Sequence, residues 1–385
     1  MADRMNGLRM ICGLLCLVLL AGNLWSMSSW SEARGVYDDI CYLRQAHLFQ
    51  RFGLGGFDTD ISREDDGYLA AKLKEIGYPS WSDLRTAPCH NAMAATGKFV
   101  IQYPPGTGLV LAVFPQGHQA VPVYACATVI IFSFALLAIF YARTNYDLLR
   151  AAAFGGLAIY LMTNPTKASY SMAPTMVVCA LAGWLTARLF AAKEGNIPLT
   201  LALGFLLGVA VDFRLPNLFL SAGYLVFFLI AWLRKRNIRS LLQGASFALA
   251  WLFGMAPTLI ANAINAGSPL ATTYGGQDVA PPEFSFAIIR DYAGDPQSLL
   301  LALAIVGVIT IPRELRTDGG RRVVLLTSAN LVVNLGFFLS HPVVTPYYTV
   351  PIAMLSLWSL LFAVLTAAPE AVDDTLAGQA ANARS

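Results

Sequence analysis

Charge is what this sequence has least of. Charged residues fill 13% of the 385 positions, against about 25% in a soluble domain. With 56% hydrophobic residues beside that shortfall, a soluble fold of this size is excluded, because its surface could not be covered with polar groups. The same numbers exclude disorder, collagen and coiled coil. Strictly alternating apolar segments are missing, and with them an outer-membrane barrel. The six cysteines contain no CxxC pair, so no zinc site is indicated. A phosphate-binding loop, a nucleotide fingerprint and a nucleophile elbow are also lacking, which argues against an ATP-driven pump or a serine hydrolase. The net charge of +3 gives no sign of a nucleic-acid partner.

Continuous apolar runs dominate instead, and they indicate an all-α polytopic membrane protein. About ten spans are expected, near 8–27, 119–142, 149–164, 172–192, 197–212, 217–233, 241–261, 298–312, 323–340 and 347–367. The first run has the n-region and h-region of a signal peptide but no clean small-x-small cleavage site, so a retained first helix is expected. Basic residues orient the spans. Alternate links hold Arg143 and Arg150; Arg188 and Lys193; Arg234, Lys235, Arg236 and Arg239; Arg313, Arg316, Arg321 and Arg322. The short links between them hold Lys167 and Arg214 alone. The richer set belongs on the cytoplasmic side. Both termini then lie in the cytoplasm, and the long loops 28–118 and 262–297 lie outside, as in a bacterial inner membrane. Residues 1–367 form one transmembrane domain, and 368–385 read as a disordered cytoplasmic tail. The apolar piece from Tyr103 to Phe114 is too short to span. It reads as a re-entrant or interfacial helix starting at Pro104–Pro105.

The first outer loop carries ten of the 23 acids. A short helix is predicted from Asp38 or Asp39 to about Gly53. Asp38, Asp39, Tyr42, Ala46 and Phe49 share one broad face of it. Two adjacent carboxylates there can act as a general base, or hold a divalent cation such as Mg or Mn beside a phosphate. Local physics also allows a plainer role, with Asp38 as N-cap and Asp39 as a first-turn acid. Asp58-x-Asp60 suits an oxygen-ligated ion but reads better as a solvated loop. Asp278, Glu283, Asp291 and Asp295 have the same standing. His47, His90, His118 and His341 show no ligand spacing. Tyr274-Gly275-Gly276 and Pro281-Pro282 mark turns in the second loop. Gly204-x-x-x-Gly208 reads as a helix-packing contact.

Taken in order, Tyr37-Asp38-Asp39 after the first helix, Tyr103-Pro104-Pro105-Gly106, Asn164-Pro165 ahead of Tyr170-Ser171, Arg214 with Pro216-Asn217, Gly267-Ser268-Pro269-Leu270, and Pro346-Tyr347-Tyr348 with Pro351 resemble the GT-C membrane glycosyltransferases. Protein O-mannosyltransferase-like and aminoarabinose-transferase-like enzymes belong to that superfamily. The resemblance implies sugar transfer from a polyprenyl-phosphate donor to a lipid, glycan or protein acceptor on the outer face of the membrane. It implies that Asp38 or Asp39 is the base, and that Tyr42, Tyr103, Tyr347 and Tyr348 contact substrate. Lys167 and Arg214, basic residues on the side where basic residues are rare, are candidates for the donor phosphate; snorkelling to lipid headgroups is the other reading. A transporter or lipid flippase, or a non-catalytic protein of the same fold, is the alternative. Cys41 and Cys89 are the only cysteines of the outer loops and are expected to pair in an oxidising compartment. Cys12, Cys16, Cys126 and Cys179 lie in spans.

Overall fold

The computed structural model describes residues 2–32, 36–164, 166–192, 196–275, 281–311, 317–341 and 344–367. The expected tail, Asp278, Lys193, Arg313 and Arg316 lie outside the described residues. The chain is helical nearly throughout. Helix α1 (Ala2–Met27) precedes the first loop, which contains α2 (Tyr37–Phe52), α3 (Tyr68–Glu75), the two-stranded hairpin β1 (His90–Ala92) and β2 (Phe99–Ile101), and α4 (Gly106–Ala112). The bundle continues through α5 (Ala120–Tyr141), α6 (Asn145–Leu161), α7 (Met172–Ala191), α8 (Ile197–Phe213), α9 (Ala222–Lys235), α10 (Ile238–Gly254) and α11 (Ala256–Ala266). It closes with α12 (Phe286–Gly294), α13 (Ser298–Thr310), α14 (Asp318–Ser340) and α15 (Thr349–Thr366).

This is an all-α membrane protein. Ile11, Leu15 and Val18 of α1, Leu249 and Phe253 of α10, and Leu299 and Ile309 of α13 are exposed. Only a lipid solvent tolerates so many outward apolar side chains. Among the described residues six helices are long and apolar enough to cross a membrane, and up to eight if each of two bent pairs is one span. The expected ten spans are not all reached on that measure. Helices α6 and α8 each have 17 residues, about 26 Å of helix against roughly 30 Å of hydrocarbon. One expected span, 241–261, is broken at Met255, where α10 and α11 meet at a bend of 51°. The amide N–H and hydroxyl of Thr258, at the start of α11, donate to Asp212 at 3.0 and 2.6 Å. Asp212 thereby satisfies groups that the break would otherwise leave open to hydrocarbon.

Helix α1 is built into the bundle. Arg9 donates to the Ala142 carbonyl at 2.6 Å, and Asn23 to that of Ile159 at 2.5 Å. Gly204 and Gly208 of α8 lie against the Phe247 and Trp251 carbonyls of α10, where a Cβ would collide with backbone. The small-xxx-small motif is therefore a packing seam. Trp358 of α15, fully buried, rests on Gly183 of α7 in the same manner.

The first loop folds as a cap with its own polar centre. Arg44 on α2 is fully buried. It donates to Asp65 at 3.0 Å, to the carbonyls of Thr59 and Asp60 at 2.9 and 3.1 Å, and to His90 Nε2 at 3.2 Å. Because Nε2 accepts, Nδ1 carries the ring proton and donates to the Pro88 carbonyl at 2.8 Å. Burial and the neighbouring guanidinium push the His90 pKa down from 6.5 to about 3. In the unfolded chain this ring takes up a proton below about pH 6.5, while in the folded chain it stays neutral. Stability is therefore expected to fall as pH drops from 6.5 toward 3, by up to about 1.4 kcal/mol per unit. Melting temperatures in detergent at pH 7.5 and 5.0 test this: His90→Gln should lose less on acidification than the parent. Equal losses would remove His90 as the cause.

A disulfide joins Cys41 to Cys89, with Cα atoms 6.6 Å apart. It staples α2 to the hairpin across 48 residues of sequence. Its removal by Cys41→Ser with Cys89→Ser is expected to cost about 2–4 kcal/mol. Faster proteolysis within the first loop would report that loss, and unchanged proteolysis would contradict it.

Candidate functional site

Helix α2 begins at Tyr37 and ends where Gly53 takes a positive φ of 55°, close to the expected limits. Its N-cap is Val36, which offers no side-chain cap. Asp38 and Asp39 both sit in the first turn, and Asp38 is not the cap. The two acids have different partners. Asp39 is 1% exposed and accepts the Tyr170 N–H at 2.9 Å. It ties α2 to the turn before α7. Tyr170 in turn donates its hydroxyl to the Glu32 carbonyl at 2.7 Å. The Glu32 carboxylate accepts the N–H groups of Gln119 and Ala120 at the start of α5. Asp39 thus belongs to a belt of structural contacts. Asp38 is half-buried and accepts the Tyr103 hydroxyl at 2.5 Å.

Around Asp38 stands a cluster of phenols. The Tyr42 and Tyr103 rings lie 4.9 Å apart, and Tyr274 meets Tyr103 edge-on at 6.0 Å. Tyr103 is held from below, since Gln45 of α2 donates to its carbonyl at 2.8 Å. Helix α4 follows directly and lies along α2, with Gly108 pressed on Gln45 and Gly106 on Asp212. Thr273 donates to the Gln102 carbonyl at 2.8 Å, and Asn91 to the Thr273 carbonyl at 3.0 Å. These bonds seat the second loop on the first and bring in Tyr274.

Arg214, the residue after α8, enters from the other side. Its guanidinium lies over the rings of Tyr347 and Tyr348 at 4.6 and 4.4 Å, and donates to Met172 Sδ at 3.2 Å. Tyr42 and Tyr347 each lie within electrostatic reach of both Arg214 and Asp38. Two aromatic rings therefore bridge carboxylate and guanidinium. Arg214 is 6% exposed, and among the described residues no carboxylate forms an ion pair with it. Among the described residues this buried cation meets phenols and a thioether, which leaves its charge unbalanced, and an anion is what would balance it. Burial raises the pKa of Tyr42, and burial followed by the Asp38 charge raises that of Tyr103. Burial pushes Tyr347 up to about 12 against the opposing pull of Arg214. At neutral pH Tyr42, Tyr103 and Tyr347 are donors.

Asp38, Tyr42, Tyr103, Arg214, Tyr347 and Tyr348 thus come together from residues far apart in sequence. Lys167 does not join them: it is exposed and stands over the Trp30 ring at 5.8 Å. Tyr274 is the addition; its sequence signal, a Tyr-Gly-Gly turn, speaks only of backbone. Mg or Mn is the ion expected at Asp38 and Asp39, whose described contacts are the Tyr103 hydroxyl and the Tyr170 N–H. The described grouping of three metal-type donors is Cys41, Cys89 and His90, two of which are joined as a disulfide. Asp58 pairs with Lys98 at 3.0 Å, and Asp60 accepts from Ser62 at 2.9 Å, so both serve the loop itself.

No protein-family model matches the chain, and no curated protein matches it.

Proposed function

We propose that the chain is a membrane glycosyltransferase of the GT-C kind, which moves a sugar from a polyprenyl-phosphate donor to a lipid, glycan or protein hydroxyl. The observation that carries this reading is the pairing, across one phenol cluster, of a half-buried carboxylate with a buried guanidinium that has no carboxylate partner among the described residues. Asp38 takes the proton of the acceptor hydroxyl. The acceptor oxygen bonds to the anomeric carbon as the bond from that carbon to the phosphate oxygen breaks, with inversion. The electron pair leaves on the polyprenyl phosphate, and Arg214 meets the added charge. The hydroxyls of Tyr42, Tyr347 and Tyr348 orient sugar and phosphate oxygens, and Tyr103, whose proton goes to Asp38, meets the substrate through its ring. Asp39 is left with its structural contact. In this reading ten crossings, two of them short, put the cluster on the outer face of a bacterial inner membrane and both termini in the cytoplasm.

The transporter or flippase reading draws on the bend between α10 and α11, since broken helices mark transport paths. Here Asp212 closes that break. Incubating the purified protein with polyprenyl-phosphate sugars separates the readings. The transferase releases polyprenyl phosphate and forms a glycosylated product, whereas a transporter moves its substrate unchanged.

A further inference from the structure

A second polar feature lies at the opposite end of the bundle. Helix α9 leads away from the Arg214 turn, and its 14 residues cover about 21 Å. At its far end a cavity of about 390 Å³ opens between α7, α9, α10 and α14. Its rim holds Arg234, Lys235, Arg239 and Arg322, and among its described lining residues there is no carboxylate. Lys235 and Arg322 also make contacts within the chain, and Arg234 and Arg239, both exposed, are the rim cations that meet a ligand. Below the rim the wall is apolar, with Ile230 and Leu325 among its residues. Leu229 and Leu233, 52% and 53% exposed, continue that apolar surface along α9.

A free phosphate ion would gain from the rim but nothing from the wall. A phospholipid fits both, with its headgroup phosphate among the guanidinium groups and its acyl chains along α9. The geometry points to a binding site for an anionic glycerophospholipid, such as phosphatidylglycerol, held in the leaflet opposite Asp38. On the orientation proposed above this is the cytoplasmic leaflet, where basic pockets between helices hold anionic headgroups. The site does not depend on the transferase reading.

Native mass spectrometry of the full chain, released from neutral detergent, tests it with phosphatidylglycerol, phosphatidylcholine and inorganic phosphate as probes. Phosphatidylglycerol should remain bound at least about tenfold more tightly than phosphatidylcholine, and millimolar phosphate should neither bind nor displace it. Each rim arginine is expected to be worth about fivefold, so Arg234→Ala with Arg239→Ala should weaken phosphatidylglycerol about 25-fold. Arg236→Ala removes a neighbouring charge that does not line the cavity and should change binding less than twofold. Ile230→Trp narrows the apolar wall of the cavity without altering charge and should weaken phosphatidylglycerol binding several-fold; it carries the test if the double variant fails to fold. Equal loss in Arg236→Ala would reduce the effect to general surface charge and overturn the site. So would equal binding of phosphatidylcholine, binding of phosphate alone at these residues, or undiminished binding of phosphatidylglycerol by Ile230→Trp.

Discussion

Asp38→Asn is expected to lower turnover of a polyprenyl-phosphate sugar by about 10²–10⁴-fold, the usual contribution of a positioned general base. The fold should be untouched. The Asp38 partner is the Tyr103 hydroxyl, and an asparagine carbonyl can accept that bond as a carboxylate does. The loss should fall on kcat, because the proton is taken in the transition state and not on binding. Asp39→Asn is the internal control. Its side chain accepts a backbone N–H from Tyr170, which an amide oxygen can also satisfy, so activity should stay within a few-fold of the parent. Product formation and melting temperature of the two variants decide the matter together. Full activity in Asp38→Asn would remove the base, and with it the principal argument for transferase chemistry. A variant that is inactive and also poorly folded would instead give Asp38 a structural role.

The largest effect on stability is expected at a residue outside the Asp38–Arg214 cluster. Arg44→Met keeps much of the side-chain volume but removes a buried guanidinium that serves Asp65, two backbone carbonyls and His90. Asp65 is then left buried without its counter-charge, at a cost of about 3–5 kcal/mol. Arg44→Lys should fall between, because an ammonium restores the charge but not the planar fork that reaches four acceptors in different directions. Thermal unfolding in detergent, with proteolysis of the first loop, measures both. A melting temperature in Arg44→Met equal to that of the parent would show that the cap does not depend on this centre.

Composition alone made the membrane class legible, because lipid-facing side chains leave no alternative pattern. The helix at Asp38, the short helix after Pro105 and the glycine seam on α8 were also readable, each from signals a few residues long. Span lengths were less so. An apolar run says where a helix can lie in lipid, but not that Asp212, 46 residues from Thr258, allows α10 and α11 to part at Met255. The candidate site divides in the same way. Asp38, Tyr103 and Arg214 stand beside local marks, an acidic pair, a proline pair and an isolated basic residue. Tyr274 joins through Thr273 and Asn91, 182 residues apart, and its Tyr-Gly-Gly mark speaks of a turn without saying what the ring meets. Lys167 carried the same mark as Arg214, yet its side chain lies over Trp30. Arg44 and His90 looked like ordinary loop residues because their meaning lies in four partners that only the folded cap brings together.

The cap also sets an order of assembly. The Cys41–Cys89 bridge encloses Arg44 and Asp65, which are 21 residues apart, and the bond from Tyr103 to Asp38 spans 65. Arg214 and Tyr347 are synthesised much later. Short loops close at lower entropic cost and sooner than long ones. The half of the cluster that holds the carboxylate can therefore be complete, covalently locked and bonded to its phenol while the half that holds the guanidinium is still on the ribosome. The carboxylate is then in place first, and Tyr170 and Asn265 add their bonds to the cap, at Asp39 and Thr59, as the later helices dock.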